Sequence, residues 1–151
     1  MAAHYKQDLF IVTRNTNRNE VHYAIEMEAE TGLPVGSAPI SVYWLMLEKG
    51  DNVTEPITIF EQVAFGIAQQ HLEGENVIMK LAALPDRAIR VSRSENSEKP
   101  RFKAYTTIAG SAAELTGFYA HAEAGFLMPK VKYIEIHGVR NGAPVSERIN
   151  K

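Results

Sequence analysis

The chain has 151 residues and a mass of 16.8 kDa, a length that a single domain over residues 1–151 accounts for. Its 16 Lys and Arg residues and 18 Asp and Glu residues give a formal net charge of −2, which argues against a nucleic-acid partner. The absence of cysteine excludes disulfides, thiol catalysis, zinc–thiolate sites and iron–sulfur clusters.

Two features of the sequence bear on its compartment. No run of about 18 apolar residues is present, so no transmembrane segment is expected. Near the N-terminus only Leu9–Val12 is continuously apolar, which is far shorter than the core of a secretion signal. The sequence as written therefore predicts a cytoplasmic protein, and export is expected only if a signal peptide was removed from this chain.

The first third of the chain predicts three strands. Leu9–Val12 opens a strand that ends near Arg14, and the Asn-rich residues 15–19 predict a turn. Apolar and polar residues alternate over 21–28, as in a half-buried strand. Residues 40–47 are apolar at both odd and even positions, which predicts a strand covered on both faces.

The middle third predicts one short helix between strands. Thr58 and Glu61 have the spacing of a capping box, which predicts a short helix over about 58–64. The next residues, 65–72, are ambiguous, and a strand is favoured there. Further strands are predicted at 77–84 and 88–93, with a turn at Pro85–Asp86 and a hairpin loop over 94–100.

The last third predicts four more strands, because turn signals interrupt the alternation at regular intervals. The Asn141–Gly142 pair is the strongest hairpin signal in the chain. Nearly every connection has hairpin length, whereas a sandwich would need long crossovers. The sequence therefore predicts an all-β fold, an antiparallel up-and-down β-barrel of about 8–10 strands with one short helix. The strands are expected at 101–109, 114–122, 131–139 and 144–149, with a turn at Gly110–Ser111 and a loop over 125–129.

Four blocks of the sequence resemble an uncharacterised bacterial domain family, which is catalogued only as a domain of unknown function. The blocks are RNTNRNEVHY (14–23), Pro39 with VYW (42–44), EPIT (55–58) with Glu61 and Phe65–Gly66, and VKYIE (131–135) with Gly138 and VSERI (145–149). The likeness spans most of the chain. Since the family has no assigned activity, the resemblance implies no catalytic or binding residues.

Two features are candidates for ligand binding. The run from Arg14 to Asn19 is rich in amide and guanidinium groups, which suit an anion or polar ligand at a barrel mouth. The alternative is a hairpin turn in which Arg14 pairs with a carboxylate. Trp44 is the single tryptophan and is expected either to line an apolar cavity or to anchor the core. The predicted ligand-binding residues are Trp44, Tyr23, Tyr119, Arg14 and Asn17.

Small residues on two predicted strands favour a hollow barrel, since they leave room on inward positions. The alternative is that large side chains or the helix fill the space. The small residues are Gly117, Ala120, Ala122, Ala82 and Ala83.

Metal and acid–base sites have weaker support. No two of the five histidines are two or four residues apart, so no metal site is predicted. A cross-strand group of His121, His137 and Glu135 is the best metal candidate, and cross-strand pairing is its alternative. Glu61 suits either a capping role or an acid–base role, and the capping role is favoured.

The sequence supports three functional hypotheses. The first is a binding module that holds a small apolar or amphipathic ligand in a barrel lumen. The second is a protein–protein interaction module or oligomerising barrel, including a homo-oligomer, with no ligand. The third is a lyase- or isomerase-type enzyme that uses a carboxylate and a histidine in the lumen. No cofactor and no catalytic residue are predicted.

Overall fold

Strands dominate the computed structural model of the chain, which describes residues 3–59, 61–94, 101–124 and 130–151. Eleven strands and one four-residue helical turn lie in these ranges. The strands are β1 (His4–Arg14), β2 (Glu20–Glu28), β3 (Ile40–Leu45), β4 (Thr54–Pro56), β5 (Ile67–Glu73), β6 (Asn76–Leu81), β7 (Leu84–Ser94), β8 (Arg101–Ile108), β9 (Ser111–Glu123), β10 (Lys130–Arg140) and β11 (Ala143–Asn150), and the helical turn is α1 (Gln62–Phe65). No helix in these ranges is long and apolar enough to cross a membrane.

The prediction of an all-β fold is confirmed, and several details differ. Eleven strands are present instead of nine or ten, because the three-residue β4 carries no alternation signal. The turn after β6 lies at Ala82–Ala83, and Pro85–Asp86 belong to β7. These two residues fall in an irregular stretch of the β6–β7 ladder, where a proline without an N–H is tolerated. The predicted loops over 94–100 and 125–129 lie, apart from Ser94, outside the described residues.

The Asn141–Gly142 hairpin is confirmed. Both residues have positive φ angles, 52° and 79°, as a primed two-residue turn requires. The turn joins β10 to β11 with Arg140 opposite Ala143. Asparagine and glycine adopt these angles at low cost, so this connection is determined locally.

The sheet is organised around β9. One edge of β9 pairs with β10 over most of its length. The other edge is shared, because Leu115 pairs with Ala104 of β8 whereas Gly117 pairs with Ile11 of β1, in parallel. Two meanders, β1–β4 and β5–β9, therefore meet at β9 and end in β4 and β5.

The sheet is predominantly antiparallel and is not closed. No backbone pairing joins β4 to β5 in the described chain, and the β1–β9 contact is parallel. The predicted barrel is therefore not confirmed. We call the gap between β4 and β5 the seam.

Small residues on β9 allow close approach of strands. A Cβ atom on Gly117 would lie 2.9 Å from the carbonyl oxygen of Ile11, so glycine lets β1 reach β9. Ala120 and Ala122 on the same strand are buried. Ala82 and Ala83 form a turn. The described structure therefore gives Gly117 a role in the close approach of β1 and β9.

Large side chains from both meanders fill the interior. Phe10 stacks on Tyr23 with ring centroids 4.6 Å apart and meets Phe118 edge-on at 5.7 Å. Tyr23, Phe102 and Met79 are each at most 2% exposed. Each such side chain contributes roughly 1.5–3 kcal/mol through burial, so this cluster supplies the main driving force for folding.

Side-chain amides extend the ladders where backbone pairing stops. The Gln7 amide donates to the carbonyl of Phe102 at 2.7 Å and accepts from its N–H at 2.9 Å. Asn15 makes the same pair of hydrogen bonds with Ala122, at 2.9 and 2.8 Å. Each amide satisfies the N–H and C=O of a residue that would otherwise lack a partner at that edge.

A third amide bridges the seam. Gln70 of β5 accepts from the N–H of Ile40 at 2.9 Å and donates to its carbonyl at 3.0 Å. Ile40 begins β3, the neighbour of the terminal strand β4, so one side chain links β5 to the opposite end region of the open sheet. The sheet is thus held across its gap by two side-chain hydrogen bonds.

Replacing Gln70 with leucine should weaken this link. We expect Gln70→Leu to lower the free energy of unfolding by about 1–3 kcal/mol, because the N–H and C=O of Ile40 lose their partners. The measurement is urea unfolding combined with hydrogen exchange at the Ile40 amide, which should become faster. Gln69→Leu is the matched control, since Gln69 is exposed. Equal effects of the two changes would contradict the bridging role.

An ion pair anchors β11 to the rest of the sheet. Arg87 donates to both carboxylate oxygens of Glu147, at 2.7 and 2.9 Å, and also to the carbonyl of Thr107. The N–H of Ala109 donates to Glu147 at 2.8 Å. The hydrogen bonds from Arg87 and Ala109 lower the pKa of Glu147 from 4.5 to about 2.

This pKa predicts an acid-dependent loss of stability. A carboxylate with a lowered pKa stabilises the fold above its ordinary pKa of 4.5, and that contribution is lost as the pH falls towards about 2. At pH 7 we expect Glu147→Gln to lower the free energy of unfolding by about 1–2 kcal/mol. The difference from wild type, measured by urea unfolding at pH 7, 5, 4 and 3, should shrink with each step. A constant difference would show that the charge of Glu147 is not involved.

Candidate functional site

A cleft of about 480 Å³ opens at the seam, and we call it the seam cleft. It lies where the ends of β1 and β3 meet β4 and the segment that leads into α1. Its walls combine charged, amide and apolar side chains. The lining residues are Arg14, Asn17, Asn19, Trp44, Met46, Glu55, Pro56, Thr58 and Glu61.

Trp44 forms the inner wall of this cleft. The β2–β3 register sets Trp44 opposite the fully buried Val21, so its indole points to the core side and is 6% exposed. The ring meets Phe65 edge-on at 5.3 Å. Its N–H donates to Oε2 of Glu61 at 3.0 Å. Trp44 therefore both anchors the core and lines the cleft. The sequence offered these two roles as alternatives.

Glu61 connects the local turn to the tryptophan. Its Oε1 accepts from the N–H of Thr58 at 2.8 Å, and its own N–H donates to Oγ1 of Thr58 at 3.2 Å. The reciprocal bonds of the predicted capping box are therefore present. The helix predicted over 58–64 is not confirmed, because only one helical turn forms, at Gln62–Phe65. Gly66 follows in extended geometry and ends it.

The charge of Glu61 is stabilised within the cleft. Burial alone would raise the pKa of this carboxyl group, but the hydrogen bonds from Thr58 and Trp44 and the nearby charge of Arg14 outweigh it. The pKa consequently lies below its ordinary value, and Glu61 is ionised at neutral pH.

Arg14 covers one face of the Trp44 indole. Its guanidinium carbon lies 4.7 Å from the centroid of Trp44 and 5.9 Å from that of Phe65. Its Nη2 donates to Oδ1 of Asn17 at 3.0 Å, whereas its Nε is buried without a hydrogen-bond partner in the described chain. Burial lowers the pKa of Arg14, and the charge of Glu61 partly offsets this effect.

The turn after β1 holds Arg14 in position. Oδ1 of Asn17 also accepts from the N–H of Asn19 at 2.9 Å, which closes an Asx turn. Oδ1 of Asn19 accepts from the N–H of Glu48 at 2.9 Å. The predicted turn is therefore ordered. The sequence offered a carboxylate as the alternative partner of Arg14. In the part of the chain that the structure describes, no carboxylate lies within 4.0 Å of Arg14.

Three of the five predicted ligand-binding residues meet in the seam cleft, namely Trp44, Arg14 and Asn17. Tyr23 lies behind it, where it is 1% exposed and donates to the carbonyl of Phe65 at 2.7 Å. Burial raises its pKa. Tyr119 lies elsewhere on β9, where its hydroxyl is 3.2 Å from Nδ1 of His121.

The histidines proposed as metal ligands engage in other contacts. His121 stacks on Tyr133 with ring centroids 4.9 Å apart and nearly parallel rings, and the guanidinium carbon of Arg148 lies 4.0 Å from the centroid of Tyr133. His137 lies 3.3 Å from Glu135. Among the described residues no group of three or more His, Asp or Glu is arranged to hold a metal ion.

A second polar cluster, which sequence analysis missed, lies on the outer face of β1–β3. Tyr43 donates to Asp8 at 2.7 Å, and the two ring nitrogens of His22 lie 3.1 Å from Asp8 and 3.0 Å from Glu20. Burial and the hydrogen bond to Asp8 raise the pKa of Tyr43, which keeps its hydroxyl protonated. The cluster borders another open cleft, of about 540 Å³. A bulge in β1 after Asp8 sets this alignment, and no sequence signal marks the bulge.

Residues missed in the seam cleft are Met46, Glu55 and Pro56. Met46 follows β3, whereas Glu55 and Pro56 lie in the short β4, which no periodic pattern marks. No sequence pattern predicts the hydrogen bond between Trp44 and Glu61, because the two residues are 17 positions apart in the chain. Sequence alone showed the capping role of Glu61 but not its second partner.

Comparison with known proteins identifies the family. Residues 10–148 match the family described as Domain of unknown function (DUF4833). The chain is a member of the DUF4833 family. No curated protein and no solved structure gives a significant match. All residues of the seam cleft fall within the matched range, so the cleft is part of the DUF4833 domain.

Proposed function

We propose that this DUF4833 domain is a binding module and that its seam cleft holds a small amphipathic molecule. The observation that carries the proposal is the guanidinium of Arg14, held 4.7 Å above the indole of Trp44 in a cleft of about 480 Å³. Met46 and Pro56 add apolar surface beside this pair. Such a mixture of apolar walls and a few fixed polar groups is typical of small-molecule sites.

The proposal assigns the ligand to the mouth of the fold instead of a lumen. Tyr23, Phe102 and Met79 occupy the interior between the two meanders, whereas the seam cleft is open to solvent. Gln70 holds the seam together through its two hydrogen bonds with Ile40. In this proposal the sheet acts as a barrel that side-chain hydrogen bonds, not backbone pairing, complete.

The two other hypotheses have less support. An enzyme of lyase or isomerase type would need a histidine beside a carboxylate, and no histidine is among the described residues that line the seam cleft. Assembly through the free edge of β11 is disfavoured, since Pro144 lacks an N–H and both Glu147 and Arg148 are already engaged in ion pairs, with Arg87 and Glu135.

The fluorescence of Trp44 tests the proposal directly, because it is the single tryptophan of the chain. Titration with three phenyl-ethyl probes, namely hydrocinnamate, phenethylamine and L-phenylalanine, should give a saturable change with at least one. We expect Met46→Glu to reduce the affinity for hydrocinnamate and L-phenylalanine at least tenfold, because it introduces a carboxylate beside their phenyl group, whereas phenethylamine, as a cation, is left out of this comparison. Leu72→Glu is the matched control, since Leu72 is 41% exposed on β5 and is not among the lining residues.

The titration separates the hypotheses. Saturable binding that Met46→Glu weakens and Leu72→Glu leaves unchanged supports a site in the seam cleft. If none of the three probes changes the fluorescence of the wild-type protein, the proposed function is wrong. Equal weakening by both variants would place the probe elsewhere on the molecule.

A further inference from the structure

The seam cleft holds two opposite charges apart. Arg14 lies over the face of the Trp44 indole, and Glu61 lies at its N–H edge, 3.0 Å from the nitrogen. No ion pair within 4.0 Å joins Arg14 to Glu61. The ring therefore acts as a spacer between a cation and an anion that share one cleft.

Local hydrogen bonds keep the two charges from pairing with each other. Oε1 of Glu61 is bound by the N–H of Thr58 and Oε2 by the indole of Trp44, so the carboxylate cannot turn towards Arg14 without breaking one of these bonds. Arg14 is held in turn by Asn17. Arg14 and Glu61 are thus each held in position by neutral groups of the protein and not by each other. This arrangement preorganises both charges for a bound ligand.

The other carboxylate of the cleft differs in this respect. Glu55 receives both hydrogen bonds of Lys49, at 3.0 and 3.2 Å, and its charge is compensated within the protein. Arg14 and Glu61 are each left with neutral hydrogen-bond partners in the described chain. A ligand can therefore add one ion pair to each of them.

We propose that the seam cleft selects a zwitterion, a small molecule that carries a carboxylate and an ammonium group next to an apolar portion, as in a free amino acid with an apolar side chain. The carboxylate pairs with Arg14, the ammonium pairs with Glu61, and the apolar portion contacts Trp44 and Met46. This inference rests on the proposed function and specifies the class of ligand.

Ligands with a single charge fit less well. A simple carboxylate gains Arg14 but brings its charge close to Glu61, and a simple amine gains Glu61 but approaches Arg14. Like charges at such separations oppose binding, and a charge left without a partner in a partly buried site loses its hydration. Charge-assisted hydrogen bonds from both ends of a zwitterion avoid both penalties.

The three probes are chosen to separate these cases. L-Phenylalanine carries both charged groups, hydrocinnamate lacks the ammonium, and phenethylamine lacks the carboxylate, while all three share the phenyl-ethyl frame. Titrations of the full chain at pH 7, followed through Trp44 fluorescence, should show that L-phenylalanine binds at least tenfold more tightly than either other probe. N-acetyl-L-phenylalanine, which keeps the size but loses the ammonium, should bind no more tightly than hydrocinnamate.

Two variants should change the preference in opposite directions. Arg14→Gln should weaken L-phenylalanine at least tenfold and leave phenethylamine unchanged or tighter. Glu61→Gln should weaken L-phenylalanine and leave hydrocinnamate unchanged or tighter. Glu61→Gln also removes one local hydrogen-bond acceptor, so Arg14→Lys serves as a second test that leaves Glu61 intact. Arg14→Lys retains the cation and should therefore retain part of the preference for L-phenylalanine over phenethylamine. The unfolding midpoint and Trp44 emission of each variant verify that it is folded.

The outcomes distinguish this inference from the proposed function. If all three probes bind with similar affinity and Met46→Glu weakens hydrocinnamate and L-phenylalanine, the seam cleft is a ligand site but the zwitterion inference is wrong. The same holds if hydrocinnamate or phenethylamine binds most tightly. If no probe binds the wild-type protein, both the inference and the proposed function are wrong.

Discussion

Replacing Gly138 with alanine is expected to destabilise the fold by about 2–4 kcal/mol, because the new methyl group has no space. An added Cβ would overlap the carbonyl oxygen of Glu114 and lie 2.6 Å from Cδ1 of Ile108. Gly138 occupies a shift in the β9–β10 register, and β9 is paired on both edges at that level. The backbone therefore cannot move aside to make room.

Urea unfolding followed by circular dichroism measures this effect. Ser146→Ala is the matched control, since Ser146 lies next to Gly138 across the β10–β11 ladder and is exposed. It should change the free energy of unfolding by no more than about 0.5 kcal/mol. A similar small change for Gly138→Ala would mean that β9 and β10 are not as close as described.

Removing the side chain of Trp44 is expected to have the second large effect. Trp44→Ala should lower the free energy of unfolding by about 3–5 kcal/mol, because it empties a well-packed position beside Phe65. Trp44→Phe should lower it by about 1–2 kcal/mol, because it keeps an aromatic ring but removes the hydrogen bond to Glu61. Circular dichroism is the measurement, since both variants lack tryptophan fluorescence.

A matched aromatic control is available on β1. Tyr5 is 61% exposed, so Tyr5→Ala should change stability by about 0.5 kcal/mol or less. If Trp44→Ala has no greater effect than Tyr5→Ala, Trp44 does not anchor the core. Calorimetric titration with L-phenylalanine then adds a functional comparison, in which Trp44→Phe should retain more affinity than Trp44→Ala because it keeps a ring beneath Arg14.

Features that depend on near neighbours in the chain could be predicted. The alternation over 21–28 corresponds to β2, whose odd positions from Val21 to Met27 are buried. The Asn141–Gly142 pair makes the expected hairpin. The hydrogen bonds between Thr58 and Glu61 form as their spacing predicts, because they join groups only three residues apart.

Features that depend on the register between distant strands could not be predicted. The parallel contact between Ile11 and Gly117 joins residues more than a hundred positions apart, and it places β1 beside β8 on one edge of β9. The predicted up-and-down barrel assumed that each strand pairs only with its neighbours in sequence. Gly117, one of the small residues that suggested a hollow interior, permits this contact.

The candidate site shows the same division. Arg14, Asn17 and Trp44 stood out by residue type, and the turn and strand that carry them were visible in the sequence. Tyr119 stood out equally but lies on another face, because the β9–β10 pairing turns it towards His121 and Tyr133. Residue type selects candidates, but the facing direction across several strands decides which of them meet.

By itself, the amino-acid sequence determined the all-β class, the positions of most strands, the final hairpin and the capping box, since periodicity and turn chemistry act over a few residues. Only the tertiary structure decided that the sheet stays open at the seam and that Gln70 bridges it. It also decided that Arg14 and Glu61 meet Trp44 from different sides. These contacts join residues 17 to 30 positions apart, and their formation depends on the packing of the whole sheet.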